Sequence, residues 1–491
     1  MIHRVVKRQG QELTVLMYHP AMDQFSISLD RAKKTPLATQ IYATIREGIE
    51  AGRIPPHARL PSWRDLAAQL GVSRGTVRLA YERLIDEQLA LGLGAAGTRV
   101  TERRTGASAS PWSVDAPPMP DLFHDFGTVP LPFQMGVPAQ DEFPDKLWSR
   151  ILTREARRSA AGAVGYPDPR GEPGLRKEIA AYLGIARGLR CSPSQVLVTA
   201  GFAGALGIAC RGLGLEGRTA WMEEPGFPLT RTALGLAGMT AVAVPVDEEG
   251  LDVEAGMRIA ADAALAVVTP GQQAPLGMTM SLPRRLALLE WAGREDAWIV
   301  EDDYLSELQL EGRAAPALAS LDQGERVLHI GTFSKTISPT LRLGFLVVPP
   351  ALVQRFGDLV ACLAPAPAGL VQRAVADFMR EGHYLRHLRR MKRVYAARRE
   401  ALLRSLRAEA ADALAVQATA GMAVVTRLRS SASDVEIAVR GRESGLAPTP
   451  LSPWYAQPPR RQGLLLGVTN VNMERVAADC RRLAELVRRL G

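Results

Sequence analysis

The chain has 491 residues, 47% of them hydrophobic and 23% charged, with a formal net charge of +9. That length exceeds one ordinary domain, and the balance excludes a disordered or fibrous chain. No apolar run approaches the roughly 18–20 residues that span a bilayer, and no compact apolar leader with a small-residue cleavage site opens the chain, so a cytoplasmic location is expected.

Charge is unevenly spread. Residues 1–104 hold 16 Lys and Arg against 10 Asp and Glu, about two-thirds of the net excess. A basic module of this kind suits a polyphosphate partner. The four cysteines, Cys191, Cys210, Cys362 and Cys480, lie far apart. They show neither ligand spacing nor a disulfide framework, so reduced thiols and no metal site are expected.

Residues 1–35 read as an extension, partly disordered, with Met22 a more typical beginning than Met1. In "LATQIYATIREGIEA", Leu37, Ile41, Ile45 and Ile49 recur one turn apart and predict a helix that Gly52 ends. Ser62 with Asp65 predicts a capping box for a second helix, stopped at Gly71. Ser73 then caps a third, with Val77, Ala80, Tyr81 and Leu84 inward and Arg74 and Arg78 outward. Gly75 and Thr76 keep its first turn slim. Two short helices on a tight glycine turn, the second opening with basic and small residues, describe a helix-turn-helix. "LALGLGAAGTRV" (89–100) reads as a β-hairpin wing with a glycine-rich tip.

Residues 36–101 resemble the winged-helix domain of GntR-type bacterial regulators. The resemblance rests on "PLATQIYATIREGIEAGRI", "LPSWRDLAAQLGVSRGTVRLAYERL" and "GTRV". It implies operator DNA as partner, contacted by Arg64, Ser73, Arg74, Thr76, Arg78 and Gly97. Arg99 departs from the aromatic residue usual in the wing, and adds a phosphate contact or faces solvent. Residues 102–122, "ERRTGASASPWSVDAPPMPDL", lose all periodicity and read as a flexible linker.

Beyond the linker, short apolar runs alternate with helical stretches. "SQVLVTAG", "RTAWMEEPG", "ALAVVTPG", "AWIVEDDY", "RVLHIGTFSK" and "LGFLVVPP" predict strands. The alternation argues for an α/β fold with a mostly parallel sheet, whose functional residues gather beyond the strand ends. The chain is thus multidomain. "GTFSKT" is not a nucleotide phosphate loop, because Ser334 stands where that motif requires Gly before Lys. A lysine that forms a Schiff base explains Lys335 better, since such a lysine needs small neighbours and a depressed pKa. Pyridoxal phosphate also needs a carboxylate at its ring nitrogen and a cation on its phosphate. Asp302 or Asp303 could supply the first, and Arg342 the second.

Residues 123–491 resemble the fold-type-I aminotransferase-like domain of MocR-type regulators, most specifically through "GTFSKTISPTLRLG", with a large subdomain at about 165–380. The resemblance implies pyridoxal 5'-phosphate in Schiff-base linkage to Lys335. It implies Asp302 at the pyridine nitrogen, Tyr304 at the ring hydroxyl, Phe227 against the ring and Arg342 on the phosphate. Ala200, Gly201, Phe202 and Ser334 join them, and Tyr166 reaches the cofactor of a partner subunit in a head-to-tail homodimer. Three departures stand out: Phe202-Ala203-Gly204 replaces a more polar segment, Gln272 and Ala274 replace a histidine and an aromatic, and "GLLLGVTN" lacks the arginine with which aminotransferases bind the α-carboxylate. A regulator that senses the cofactor, an amine or an amino acid is therefore expected, acting on vitamin B6 or amine metabolism. The alternatives are an aminotransferase with an attached DNA-binding domain, or a regulator whose C-terminal domain only dimerises.

Overall fold

The computed structural model describes residues 6–9, 12–19, 22–33, 35–94, 97–101, 129–162, 165–310, 312 and 314–491, with side chains from Ser26 onward. The chain divides into two compact units, Met1–Ser113 and Val114–Gly491. The expected linker lies outside the described residues.

In the first unit, three helices form as the periodicity predicts: α1 (Leu37–Glu50), α2 (Trp63–Leu70) and α3 (Arg74–Asp86). Ile41, Ile45, Leu66, Leu70, Val77 and Leu84 are fully buried between them. Gly71 ends α2 in the left-handed region, at φ 59°, which a glycine enters without steric cost. The Ser62 hydroxyl accepts the Asp65 N–H at 3.1 Å, but it donates to the Asp65 carboxylate at 2.7 Å, so the reciprocal half of the capping box is absent.

The N-terminal segment departs from expectation. Its described residues form an antiparallel sheet of β1 (Val6–Gln9), β2 (Glu12–His19) and β3 (Met22–Asp30). In β3 the alternation Ser26-Ile27-Ser28-Leu29 buries Ile27 and Leu29 in the same core as the three helices. Gln40 locks β3 to α1 by exchanging bonds with Asp30 N–H at 3.0 Å and Asp30 C=O at 2.9 Å. Ile27 and Leu29 of β3 thus belong to the winged-helix core. The wing follows as β4 (Ala90–Gly92) and β5 (Thr98–Val100).

The second unit opens with α4 (Asp145–Ala161) and α5 (Pro173–Ala186). Its main sheet has eight strands in the order β6-β13-β12-β11-β10-β7-β8-β9. They are β6 (Val196–Thr199), β7 (Thr219–Glu224), β8 (Thr240–Asp247), β9 (Gly250–Leu251), β10 (Leu265–Val268), β11 (Trp298–Asp303), β12 (Val327–Thr332) and β13 (Gly344–Val347). The five strands β12, β11, β10, β7 and β8 run parallel, as buried apolar runs require, and β13 lies antiparallel between β12 and β6. Helices α6 (Gly201–Leu213) and α7 (Pro228–Leu236) follow β6 and β7 directly. A smaller antiparallel sheet, β14 (Leu414–Ala420), β15 (Ala423–Leu428), β16 (Thr449–Pro450) and β17 (Gly463–Gly467), forms a second layer near the C-terminus. The ends of β6, β7, β11 and β12 carry Gly201, Glu223, Asp302 and the approach to Lys335.

Candidate functional site

Lys335 follows β12 through a tight turn, in which Ser334 N–H donates to the Thr332 hydroxyl at 3.1 Å. Its Nζ donates to the Gly136 carbonyl at 2.9 Å. Gly136 has φ 79°, and a Cβ there would lie 2.7 Å from Nζ, so only glycine leaves the amine its place. Burial pulls the Lys335 pKa down, partly opposed by the nearby Asp302 carboxylate.

Strand pleating decides between the two aspartates left open by the sequence. Successive side chains of β11 face opposite sides. Glu301 and Asp303 share one side, where Glu301 bonds His329 Nδ1 at 3.0 Å and Asp303 accepts from Arg187 Nε at 2.6 Å. Asp302 faces the other way, toward Lys335, and makes no protein hydrogen bond among the described residues. Burial, with Asp303 and Glu223 nearby, pushes its carboxyl up to about 8. Glu223, at the end of β7, is pushed to about 7 by burial although it accepts from Thr269 N–H and Oγ1 at 3.0 and 2.5 Å. The buried Tyr304 phenol is raised as well. Glu223 and Gly136 were missed by sequence reasoning; "EEPGF" carried a signal for the first, and nothing local marks the second.

An anion cup lies at the start of α6. Gly201 turns at φ 80°, and no side chain caps the helix, which leaves first-turn N–H groups outward. Arg342, itself at φ 48°, reaches across so that its Nη2 meets the Ala200 carbonyl at 3.4 Å. The Phe202 side chain packs against the core beneath α6 and offers the cup only its backbone. Phe227 packs on Trp454, ring centroids 5.5 Å apart, in an apolar cluster that also takes in Tyr304, Met135, Leu276 and Leu465. Of the expected cofactor residues, Tyr166 alone stands fully in solvent within one chain.

On the first unit, Arg74 is exposed at the start of α3 with no partner among the described residues. Arg78 pairs with Glu82 at 2.7 Å, and the Arg64 guanidinium lies over the Trp63 ring at 5.0 Å. The Ser73 hydroxyl caps α3 by accepting Thr76 N–H at 3.1 Å and also meets Thr76 Oγ1 at 2.8 Å. Arg99 is exposed on the wing, as one of its two expected placements has it, and donates to the His57 carbonyl at 2.9 Å. Gly97 turns at φ 89° against Arg59, whose Nε a Cβ would meet at 3.0 Å. Arg59 is exposed beside the wing and was not singled out from the sequence.

Residues 37–100 match the family of bacterial regulatory proteins of the gntR type, and residues 137–478 match aminotransferase class I and II. The chain is 38% identical to the probable rhizopine catabolism regulatory protein MocR of Rhizobium meliloti, over 90% of this chain and 92% of that one.

The chain belongs to the MocR-type GntR regulators.

Members of that family also include TauR of Rhodobacter capsulatus, 35% identical over 75% of this chain and 79% of its own length. The second unit shares its fold with LysN, the α-aminoadipate aminotransferase of Thermus thermophilus, with a TM-score of 0.65, 28% identity, and 73% and 92% of the two chains covered. An archaeal alanine:glyoxylate aminotransferase, 24% identical, has the same fold at a TM-score of 0.67, over 74% of this chain and 91% of that one. The chain is thus a transcriptional regulator with a DNA-binding winged helix and an aminotransferase-like unit. Among the described residues no helix is long and apolar enough to cross a membrane.

Proposed function

We propose that this MocR-type regulator binds pyridoxal 5'-phosphate at Lys335 and adjusts its DNA binding to the cofactor or to an amine or amino acid that meets it there. The observation that supports this best is the pairing of Lys335 with Asp302. A half-buried primary amine lies close enough to a buried carboxyl for each to act on the other's charge, the carboxyl accepts no hydrogen bond among the described residues, and Arg342 meets the start of α6 at the Ala200 carbonyl. These residues fit the cofactor: each of its polar groups would find a complementary partner.

Bound pyridoxal phosphate supplies an aldehyde carbon that condenses reversibly with amines. Burial favours the neutral, nucleophilic form of Lys335, and Gly136 C=O orients its lone pair through the N–H bond. Asp302, as carboxylate, balances a protonated pyridine nitrogen. Tyr304 would donate to the ring oxygen, Phe227 would cover the ring, and Arg342 with the Ala200–Phe202 backbone and Ser334 would hold the phosphate. Tyr166, exposed on a single chain, completes the site of a partner in a head-to-tail homodimer. With no α-carboxylate arginine in "GLLLGVTN", this is a sensor more than a transaminase. Genes of vitamin B6 or amine and amino-acid metabolism are the targets this chemistry suits.

The test is the visible spectrum of the purified protein with pyridoxal phosphate, then borohydride reduction and peptide mapping. A band fixed on Lys335 supports the reading. No band at high cofactor concentration sinks it and leaves the second unit as a dimerisation scaffold.

Operator recognition rests on the unpartnered Arg74 at the α3 N-terminus, with Arg64, Ser73, Thr76, Arg78, Gly97 and Arg99 around it. Arg74→Ala will weaken operator binding about tenfold to a hundredfold, the range of about 1–3 kcal/mol for a base or phosphate contact. Fluorescence anisotropy at one fixed salt concentration measures this. Unchanged affinity would remove α3 from the major groove.

A further inference from the structure

The Lys335 amine is placed from two sides, by the turn that carries it and by the segment that carries its acceptor, and one helix reaches both. The long helix His383–Glu409 turns a buried stripe inward: Tyr384, His387, Leu388, Met391, Tyr395 and Arg398, spaced so that they share one helix face. Packing alone is served by apolar side chains such as Leu388 and Met391. The other four are polar, and a polar group buried there is costly unless a partner meets it.

The partners lie where the amine is built. At the start of the helix, Tyr384 donates to the Thr336 hydroxyl at 3.2 Å, and His387 Nε2 meets the Thr336 carbonyl at 2.9 Å. A carbonyl only accepts, so this nitrogen carries the proton. Thr336 directly follows Lys335 and is fully buried. Three turns further on, the Tyr395 hydroxyl accepts the Ala139 N–H at 3.0 Å. Arg398 donates to the Asp141 carboxylate in the same segment, and to the Thr469 carbonyl. Ala139 lies three residues beyond Gly136, whose carbonyl accepts from Lys335 Nζ.

The helix therefore spans the two halves of one hydrogen bond. At 1.5 Å per residue, Tyr384 and Tyr395 lie about 16 Å apart along its axis, and a continuous helix holds that separation. Each end grips the backbone or hydroxyl of a short irregular segment that has no strand or helix ladder of its own to fix it.

We infer that the His383–Glu409 helix is the ruler that sets the Lys335 amine against the Gly136 carbonyl, with His387 and Tyr395 as positioning residues. His387, with Tyr384, fixes the turn that carries the lysine. Tyr395 fixes the segment that carries the acceptor. Loosening either end draws Nζ and the carbonyl apart. The ammonium form then loses an acceptor, which favours the neutral amine, and the amine loses its aim at an incoming carbonyl carbon. Asp302 is the charged group that acts on this amine, and it is the same in every variant below.

The inference rests on the Lys335 reading for its chemistry, and its test separates the two. In cofactor-free full-length protein, competitive acetylation with acetic anhydride across pH, read by peptide mass spectrometry, gives the midpoint at which Lys335 becomes reactive. Rapid mixing with pyridoxal phosphate gives the rate of band formation, and the alkaline plateau of that rate compares amines that are all neutral. Tyr395→Phe and His387→Leu should each move the labelling midpoint down by about half a pH unit or more. Each should lower the plateau rate about three- to tenfold, the factor for one lost hydrogen bond. His387→Gln keeps a donor and should restore most of both. Leu402→Val trims the core at the far end of the same helix; it should lower the unfolding temperature and leave both readouts at wild-type values. Wild-type midpoints and plateaus in Tyr395→Phe and His387→Leu overturn the inference. Equal shifts in Leu402→Val also overturn it, because the effect is then one of stability alone. Thermal unfolding checks that each variant is folded, and if His387→Leu is not, Tyr395→Phe decides. If no band forms on the wild type, the Lys335 reading fails instead. The labelling midpoints then still decide the helix: a downward shift in Tyr395→Phe supports it, and an unchanged midpoint overturns it.

Discussion

Lys335→Ala protein will show no near-visible band with pyridoxal phosphate that borohydride can fix, and its DNA binding will no longer respond to amines. The expected loss is complete, because alanine has no nitrogen to condense with an aldehyde. No nearby lysine substitutes: Lys146 and Lys177 are exposed, whereas Lys335 is half-buried and its amine is aimed by the Gly136 carbonyl. The cost to folding should be small by comparison. The Gly136 carbonyl loses one hydrogen bond, a loss of about 1 kcal/mol, and the variant is relieved of a buried amine whose charged form burial disfavours. A retained band in Lys335→Ala, or an undiminished amine response of operator binding, would remove this lysine from the sensing reaction.

Asp302→Asn is expected to separate function from stability. The Asp302 carboxyl is pushed from the ordinary carboxylate range to about 8 in the cofactor-free protein. Between those values the folded state holds a proton that the unfolded state has released. Folding stability from this group is therefore full below about pH 4 and declines as pH rises toward 8. The scale is on the order of 1.4 kcal/mol per pH unit of separation, an upper bound for a buried site that can relax. Asparagine cannot lose a proton, so the variant should lose much of this decline and be the more stable protein at pH 8. A residual slope belongs to Glu223, at about 7. The same substitution removes the negative charge that would balance a pyridinium, and cofactor affinity should fall about tenfold to a hundredfold, the range for a hydrogen bond to a charged group. Urea unfolding at pH 5 and pH 8, with equilibrium dialysis of the cofactor, tests both halves. Equal pH slopes for wild type and variant would show that the Asp302 carboxyl titrates normally.

These two side chains also mark how far the sequence could be read. The apolar stripe Leu37, Ile41, Ile45 and the caps at Ser62 and Ser73 specified the winged-helix helices, because helix period and capping act within a few residues. The buried runs at β6, β7 and β10 to β13 announced the parallel sheet for the same reason. The 22–30 alternation was equally local and was passed over, since it lay in a segment set apart as an extension. In strand β8 Pro245 interrupts the apolar run, and five of its eight residues, Ala241 to Ala243, Val246 and Asp247, are only half-buried.

The sequence by itself determined the two kinds of unit, the position of the lysine, and the set of groups that could surround it. Tertiary structure decided which of those groups meet. Asp302 is distinguished from Asp303 by Arg187, 116 residues away, which takes Asp303 on the opposite face. Gly136, 199 residues from Lys335, aims its amine. Local patterns record which face of an element is buried. They hold no record of which distant element closes over that face, because that partner is selected by packing and charge only once the sheet is assembled.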